Sequence, residues 1–188
     1  SIGLVGSEMC IRDRYMVGNL DNTEDVLFFK NEKSLLIKFM EDFHFFNPDL
    51  ILGWHVIGFD LNFLEKKCLK LGLKPKLGRN GKEVRIDQRA GGMWFANIEG
   101  RVVLDGPRVV KLAFYQFENY KLATVSKEVL GGNKDIESEG ADKVEEIERR
   151  FHEDKMSLAK YNLLDCTLVI DIFKKLNLID HLTKRVLY

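Results

Sequence analysis

Apolar and polar positions along this chain change their period several times, and each change marks an element. Across residues 32–46 the side chains of Leu35, Leu36, Phe39, Met40 and Phe43 recur three and four apart, which predicts an α-helix with one buried face, ended by Asn47-Pro48. Two short β-type runs precede it, 15–17 and 26–29, and the polar, turn-rich 19–25 between them reads as a hairpin or loop. Leu50, Ile51 and Leu52, with Trp54 beyond, form a continuous apolar run, the pattern of a strand buried on both faces in the middle of a sheet. After a turn at Gly58, residues 59–71 predict a helix that buries Phe63, Leu64, Cys68 and Leu71, turns Lys66, Lys67 and Lys70 outwards, and closes at Gly72.

Periodicity then fades. Residues 74–92 are rich in Gly, Lys and Arg and read as irregular, with a short strand at 83–86; Arg79, Arg85 and Arg89 suit phosphate contact as well as a solvated loop. Residues 93–98 and 101–105 flank Glu99-Gly100, a hairpin signal. Pro107 opens a helical turn through Phe114, and 120–130 predicts an amphipathic helix stopped by Gly131-Gly132. Beyond the linker-like 133–140 comes a charged helix at 142–152, with Val144, Ile147 and Phe151 on one narrow stripe, then helices at 157–176 and 179–187. Short strands with helices between and after them predict an α/β fold.

A length of 188 residues, 45% apolar and 31% charged, suits one such domain with a filled core. The 29 basic and 29 acidic side chains cancel, so no global positive field announces a nucleic-acid partner, while local basic patches remain compatible with the total. Cys10, Cys68 and Cys166 are odd in number and lack Cys-x-x-Cys spacing, which points to a reducing, cytoplasmic setting. No apolar run approaches the roughly 18 residues of a membrane span and no secretory h-region is visible, so no membrane partner is expected. Residues 1–14 follow neither a strand nor a helix pattern. Within them Glu8-Met-Cys-Ile-Arg-Asp-Arg14 resembles translated transposase adapter from sequencing libraries, so 1–14 is expected to be a non-native segment, with an edge strand at 1–6 as the competing reading.

Candidate chemistry begins with Tyr161 and Asp165, which lie four apart in a long predicted helix and share a face that Leu168, Ile172 and Leu176 continue. An acid inside an apolar stripe is costly unless something pairs with it, and a divalent cation is one such partner. Asp60 stands at a predicted helix start just past a strand's C-terminal end, where open α/β sheets place ligands. Should the two carboxylates meet, they supply half of a hard, oxygen-lined site suited to Mg²⁺ or Mn²⁺, with Tyr161 in reach of a water or phosphate there. On spacing alone the plainer alternative stays open. Asp60 is equally a helix N-terminal acid, worth about 0.3–1 kcal/mol against the dipole, and a lysine or backbone amide is enough to satisfy Asp165. His44, His152 and His181 read as surface or boundary residues, Trp54 and Trp94 as core, and Asp105 as structural at a strand end.

The stretch Asn47-Pro-Asp-Leu-Ile-Leu-Gly-Trp-His-Val-Ile-Gly-Phe-Asp-Leu61 resembles the second exonuclease motif of family B DNA polymerases, and Tyr161-Asn-Leu-Leu-Asp165 resembles their third, Tyr-x-x-x-Asp. Between them Gly100-Arg-Val-Val-Leu-Asp105, Tyr120-Lys-Leu-Ala-Thr-Val125 and Leu130-Gly131 follow the family's order, so the resemblance runs from about Tyr15 to the C-terminus. It implies a ribonuclease H-like mixed sheet flanked by helices, and a 3′-5′ proofreading exonuclease acting on single-stranded DNA 3′ ends with two Mg²⁺ ions, Mn²⁺ being the alternative. By the same resemblance Asp60 and Asp165 are metal-site carboxylates, Tyr161 orients the attacking water, and His55 and Phe59 contact the terminal nucleotide, Phe59 by stacking. The implied partners are the polymerase domains of a parent chain and, through it, a sliding clamp.

Two departures qualify the resemblance. The family's first motif, Asp-x-Glu on the first strand, is absent, so 15–188 is expected to be a partial domain lacking its first strand or strands and inactive by itself. His55 stands where the family has Asn; a neutral imidazole still donates one hydrogen bond and accepts one, and it adds a pH-dependent charge, although a surface loop histidine is an equal reading. The rival function is a non-catalytic, degenerate exonuclease fold kept as a scaffold or DNA-binding surface.

Overall fold

The computed structural model of the chain describes residues 2–3, 14–23, 26–131, 149 and 154–186, and these fall into two compact units, Ser1–Arg108 and Val109–Tyr188. Strand β1 (Ile2–Gly3) runs antiparallel to β2 (Arg14–Val17), and β2 runs parallel to β3 (Val26–Phe29) in the register Arg14↔Val26 to Val17↔Phe29. Of the two readings of 19–25, hairpin or loop, the parallel pairing selects the loop. A parallel partner requires the chain to travel back the length of the strand before pairing. The polar segment makes that trip and is tied down along β3: the Phe28 amide donates to Asn22 Oδ1 at 2.7 Å and the Val26 amide to Thr23 Oγ1 at 3.0 Å.

Helix α1 (Glu32–Phe46) follows the predicted bounds. Asn31 caps its start by accepting the Ser34 amide, and Asn47, in the left-handed region at φ 46°, closes it with its own amide on the Phe43 carbonyl. Its apolar face buries Leu35, Leu36, Phe39 and Phe43. Tyr15, fully buried in β2, meets this face edge-on at Phe39 and donates its hydroxyl to Asp42 Oδ2 at 2.7 Å, so even its polar end is satisfied.

Strand β4 (Leu50–Gly53) pairs in parallel with β7 (Val102–Asp105), register Leu50↔Val102 to Gly53↔Asp105. Among the described residues it has no second partner, and its residues are exposed at Leu50 and half-buried beyond, so the expected place in the middle of a sheet, buried on both faces, is corrected. The third sheet is the antiparallel pair β5 (Arg85–Gln88) and β6 (Trp94–Asn97). Parallel and antiparallel pairs flanked by helices bear out the mixed α/β class, with the pairing divided among three small sheets where one was expected.

The predicted turn at Glu99-Gly100 exists, with the Arg101 amide on the Ile98 carbonyl at 3.0 Å, but β6 and β7 do not form a hairpin. Arg101 explains the divergence. Only 8% exposed, it donates Nε to the Leu77 carbonyl at 2.9 Å and Nη1 to Asn47 Oδ1 at 3.0 Å and to the Pro48 carbonyl, with its guanidinium 4.8 Å over the Phe43 ring. That anchor fixes the chain beside the end of α1, where the next amide, Val102, reaches the Asp49 carbonyl and starts β7 alongside β4.

The helix expected at 59–71 begins earlier and differently, as a π-helical turn (Ile57–Leu61) running into α2 (Asn62–Lys70). Ile57, Leu61, Leu64 and Cys68, at spacings of four, three and four, take the inward face. Phe63 falls outside that stripe and is 59% exposed, a correction to its expected burial.

In the second unit, α4 (Leu122–Leu130) ends at Gly131 in the left-handed region and packs on α5 (Lys155–Lys175). Asp154 caps α5 by accepting the Ser157 amide at 2.9 Å, and the helix buries Leu158, Ala159, Leu168, Val169, Ile172 and Phe173. Helix α3 (Gly106–Leu112) precedes them, opened near Pro107 as expected, and α6 (Leu178–Val186) follows. The adapter-like 8–13, the linker 133–140 and the charged helix 142–152, apart from the helical Arg149, lie outside the described residues.

Candidate active site

The site grows from the matched ends of β4 and β7. Their register sets Asp105 opposite Gly53, so the last residue of one strand faces the point where the other turns away. Asp105 Oδ1 accepts the His55 amide at 2.8 Å, and the Ile57 amide also bonds its carboxylate. One acid thereby holds the two amides that lead into the π-helical turn. His55 needs such an anchor, because its φ of 57° lies in the left-handed region, where Asn, Asp and His are tolerated better than other non-glycine residues.

Two glycine–tryptophan contacts lock the same turn. A Cβ at Gly106 would lie 2.2 Å from Trp54 Cε3, and one at Gly58 would lie 2.8 Å from Trp94 Cδ1. Only glycine allows the indoles so close, which ties the loop after β4 to the end of β7, and the π-helical turn to β6. Both tryptophans are half-buried packing residues rather than the core residues read from the sequence.

Asp60 rides on this turn. Single π-helical turns recur at functional sites because they displace side chains from the ordinary helical register. Its side chain is open to solvent at the mouth of the turn, yet protein atoms crowd it on the inner side. Desolvation pushes its carboxyl above the usual carboxylate range, its own backbone amide opposes that, and the charge of Asp105 raises it further. The Asp105 carboxyl is also raised by desolvation, against the His55 and Ile57 amides and the Arg108 guanidinium that favour its ionised form. Phe59 is 73% exposed, and its ring meets the His55 ring edge-on with centroids 6.3 Å apart.

Tyr161 and Asp165 lie one turn apart on α5, both half-buried, on the face that continues through buried Leu168 and Ile172. The structure thus brings His55, Phe59 and Asp60 together with Asp105 in the first unit, and pairs Tyr161 with Asp165 in the second. Among the described residues no three His, Cys, Asp or Glu side chains gather into a metal cluster. What the sequence left unspecified is the work of Asp105. Its position at a strand end was visible, but its grip on the His55 and Ile57 amides depends on a register between strands about 50 residues apart in sequence.

Comparison with known proteins is consistent with this geometry. The model of the DNA polymerase family B exonuclease domain matches residues 8–125. DNA polymerase II of Escherichia coli (strain K12) is 38% identical over 189 residues, covering 96% of this chain and 24% of that protein. A DNA polymerase of Pyrococcus glycovorans is 31% identical over 105 residues, 56% of this chain and 13% of its own length. The DNA polymerase delta catalytic subunit of Caenorhabditis elegans is 32% identical over 158 residues, 78% of this chain and 14% of its own. The chain spans a quarter or less of the length of these relatives. The matched region includes the β4–β7 strand ends with Asp60 and Asp105, and the chain belongs to the family of exonuclease domains of family B DNA polymerases.

Proposed function

We propose that this chain is part of the 3′-5′ proofreading exonuclease of a DNA-directed DNA polymerase, hydrolysing the last phosphodiester of a single-stranded 3′ end. The polymerase domains of a parent protein, and a sliding clamp reached through it, are its proposed partners, and the cytoplasm its setting. Asp60, Tyr161 and Asp165 are the proposed catalytic residues, with His55 and Phe59 holding the terminal nucleotide. The observation that carries this reading is the shared strand end, where Asp105 fixes a turn that presents Asp60, Phe59 and His55 from one short segment.

Each residue has a role its chemistry allows. Phe59, largely exposed, offers a face on which a base stacks, worth about 1–3 kcal/mol. The His55 imidazole beside it presents ring nitrogens to the sugar or base edge. The Tyr161 phenol orients the water that attacks phosphorus. Asp60 suits a divalent cation: it is a hard oxygen donor, open at the mouth of the turn, whose ionised form is disfavoured by desolvation and by Asp105. Asp165 is the second proposed metal carboxylate. Two Mg²⁺ ions, or Mn²⁺, would lower the pKa of the attacking water and stabilise the leaving oxygen. With no Asp-x-Glu motif in the sequence to supply the other two metal carboxylates that the resemblance implies, the chain alone is expected to be inactive or nearly so.

Paramagnetic Mn²⁺ titrated into the chain tests the assignment through its backbone amide spectrum. Selective broadening is expected at 57–61 and at 161–166, lost at both segments in Asp60→Asn and in Asp165→Asn. Broadening confined to other carboxylates sinks the metal assignment. In parallel, a 3′-labelled oligonucleotide with Mg²⁺ should remain essentially intact; steady cleavage abolished by Asp165→Ala overturns the expected inactivity and supports the family's chemistry.

A further inference from the structure

The outward face of α2 has a composition that its packing does not require. Taken at about 100° per residue, Phe63, Lys66, Lys67 and Lys70 fall within one stripe of α2 that runs about 10 Å to the helix end, and exposed Phe59 lies in the π-helical turn just before it. Phe59 is 73% and Phe63 59% exposed, a large apolar cost for a face that could as well be polar. A shallow cavity of about 170 Å³ lies along it, lined by Phe63, Lys66, Lys67 and Lys70. The Lys67 ammonium sits 5.7 Å from the Phe63 ring centroid and 2.6 Å from Glu32 Oε1, so the ring is framed by charge while remaining open. Among the described residues, no ion pair engages Lys66 or Lys70.

We infer that this stripe is a binding track for single-stranded DNA, leading the strand to the Asp60 turn. Exposed rings followed by lysines along one face are the composition of a sequence-tolerant single-strand groove, in which bases stack on aromatic faces and ammonium groups follow the phosphates. Charge complementarity favours a polyanion over a neutral protein surface, and continuity with Phe59 fixes the direction of travel. Phe63 takes the second base inward from the end, and Lys66 and Lys70 take the phosphates behind it. Lys67 exchanges its Glu32 contact for phosphate when the strand arrives.

The inference rests on the exonuclease reading for the identity of its ligand, and measurement in EDTA separates the two, since binding along α2 needs no metal. A 3′-fluorescein oligothymidylate of twelve nucleotides is titrated with the full 188-residue chain and followed by anisotropy at several salt concentrations. Lys66→Glu/Lys70→Glu is expected to weaken binding at least tenfold and to flatten the salt dependence by about 1.4 in log–log slope, at about 0.7 per phosphate contact. Phe63→Ala is expected to weaken binding about fivefold without changing that slope. Lys174→Glu/Lys175→Glu, the same charge change at exposed positions of α5, should do neither. All these positions are exposed, and unchanged melting profiles exclude misfolding. Equal affinities for the wild type and both stripe variants, or no binding by the wild type, overturns the track. Intact track binding without Mn²⁺ broadening at 57–61 and 161–166 counts against the metal-dependent hydrolytic reading alone.

Discussion

Asp60 carries two opposed demands. It stands open to a ligand, yet desolvation and the neighbouring Asp105 charge disfavour its ionised form. A carboxyl with a raised folded-state pKa binds protons more tightly in the native state than in the unfolded chain, where an ordinary Asp titrates near 3.9. Native stability therefore rises as pH falls through the raised value toward that reference, and is lost as pH rises back through it. Because the side chain is solvent-exposed, the effect is screened and small. The difference in urea midpoint between wild type and Asp60→Asn isolates it from the other carboxylates. Asn is expected to be the more stable at pH 7, with the gap closing as pH drops to about 4. A gap that widens on acidification would mean that Asp60 is held by a favourable partner instead. Added Mg²⁺ at pH 7 should narrow the gap from the wild-type side, by binding the ionised carboxylate.

At the scale of elements, one buried arginine decides the sheet order. Arg101 ties Asn47 and Pro48, between α1 and β4, to Leu77 in the segment after α2, and its removal leaves the Leu77 and Pro48 carbonyls without their donor. Arg101→Ala is expected to cost about 2–3 kcal/mol in urea unfolding, through unsatisfied polar groups and lost contact with the Phe43 ring. Arg101→Lys should recover less than half, since an ammonium lacks the fork that reaches Leu77 and Pro48 together. Equal stability of wild type and Arg101→Ala would show that β7 is positioned by its pairing with β4 alone. The same residue marks a boundary of what the sequence reveals. Helix α1, its Asn47 stop, the β4 run and the shared face of Tyr161 and Asp165 were legible, because each depends on spacing within a few residues. Glu99-Gly100 was legible as a turn and misleading as a hairpin, because turn chemistry is local while the next partner was chosen by Arg101 through contacts with residues 47, 48 and 77. Phe63 was misplaced for a different reason: at about 100° per residue it already lies 100° or more from Leu64 and Cys68, the stripe that continues back through Leu61 and Ile57, so its apolar character misled where its spacing did not. The left-handed backbone of His55 gives the histidine-for-asparagine exchange a physical account that sequence could not supply, since both residue types tolerate that conformation.

For the molecule as a whole, the cancelling 29 basic and 29 acidic side chains constrain how it meets DNA. A protein with a dominant positive field draws a polyanion from a distance, and its association rate falls steeply as salt screens that field. Here the positive charge of the α2 stripe is local, with Glu32 at its edge, and beyond a Debye length of about 10 Å at 0.1 M salt the acids elsewhere offset it. Contacts made after encounter, phosphate on Lys66 and Lys70 and base on Phe63, have no such dependence on distance. Salt should therefore act mainly on how long the strand stays. In stopped-flow measurements with oligothymidylate, the association rate constant is expected to change by less than about threefold between 20 and 200 mM salt, while the dissociation rate rises by more than the association rate falls. An association rate that drops tenfold or more over that range would mean a field reaching beyond the stripe, and the balance of charges read from the sequence would not describe the surface that DNA approaches.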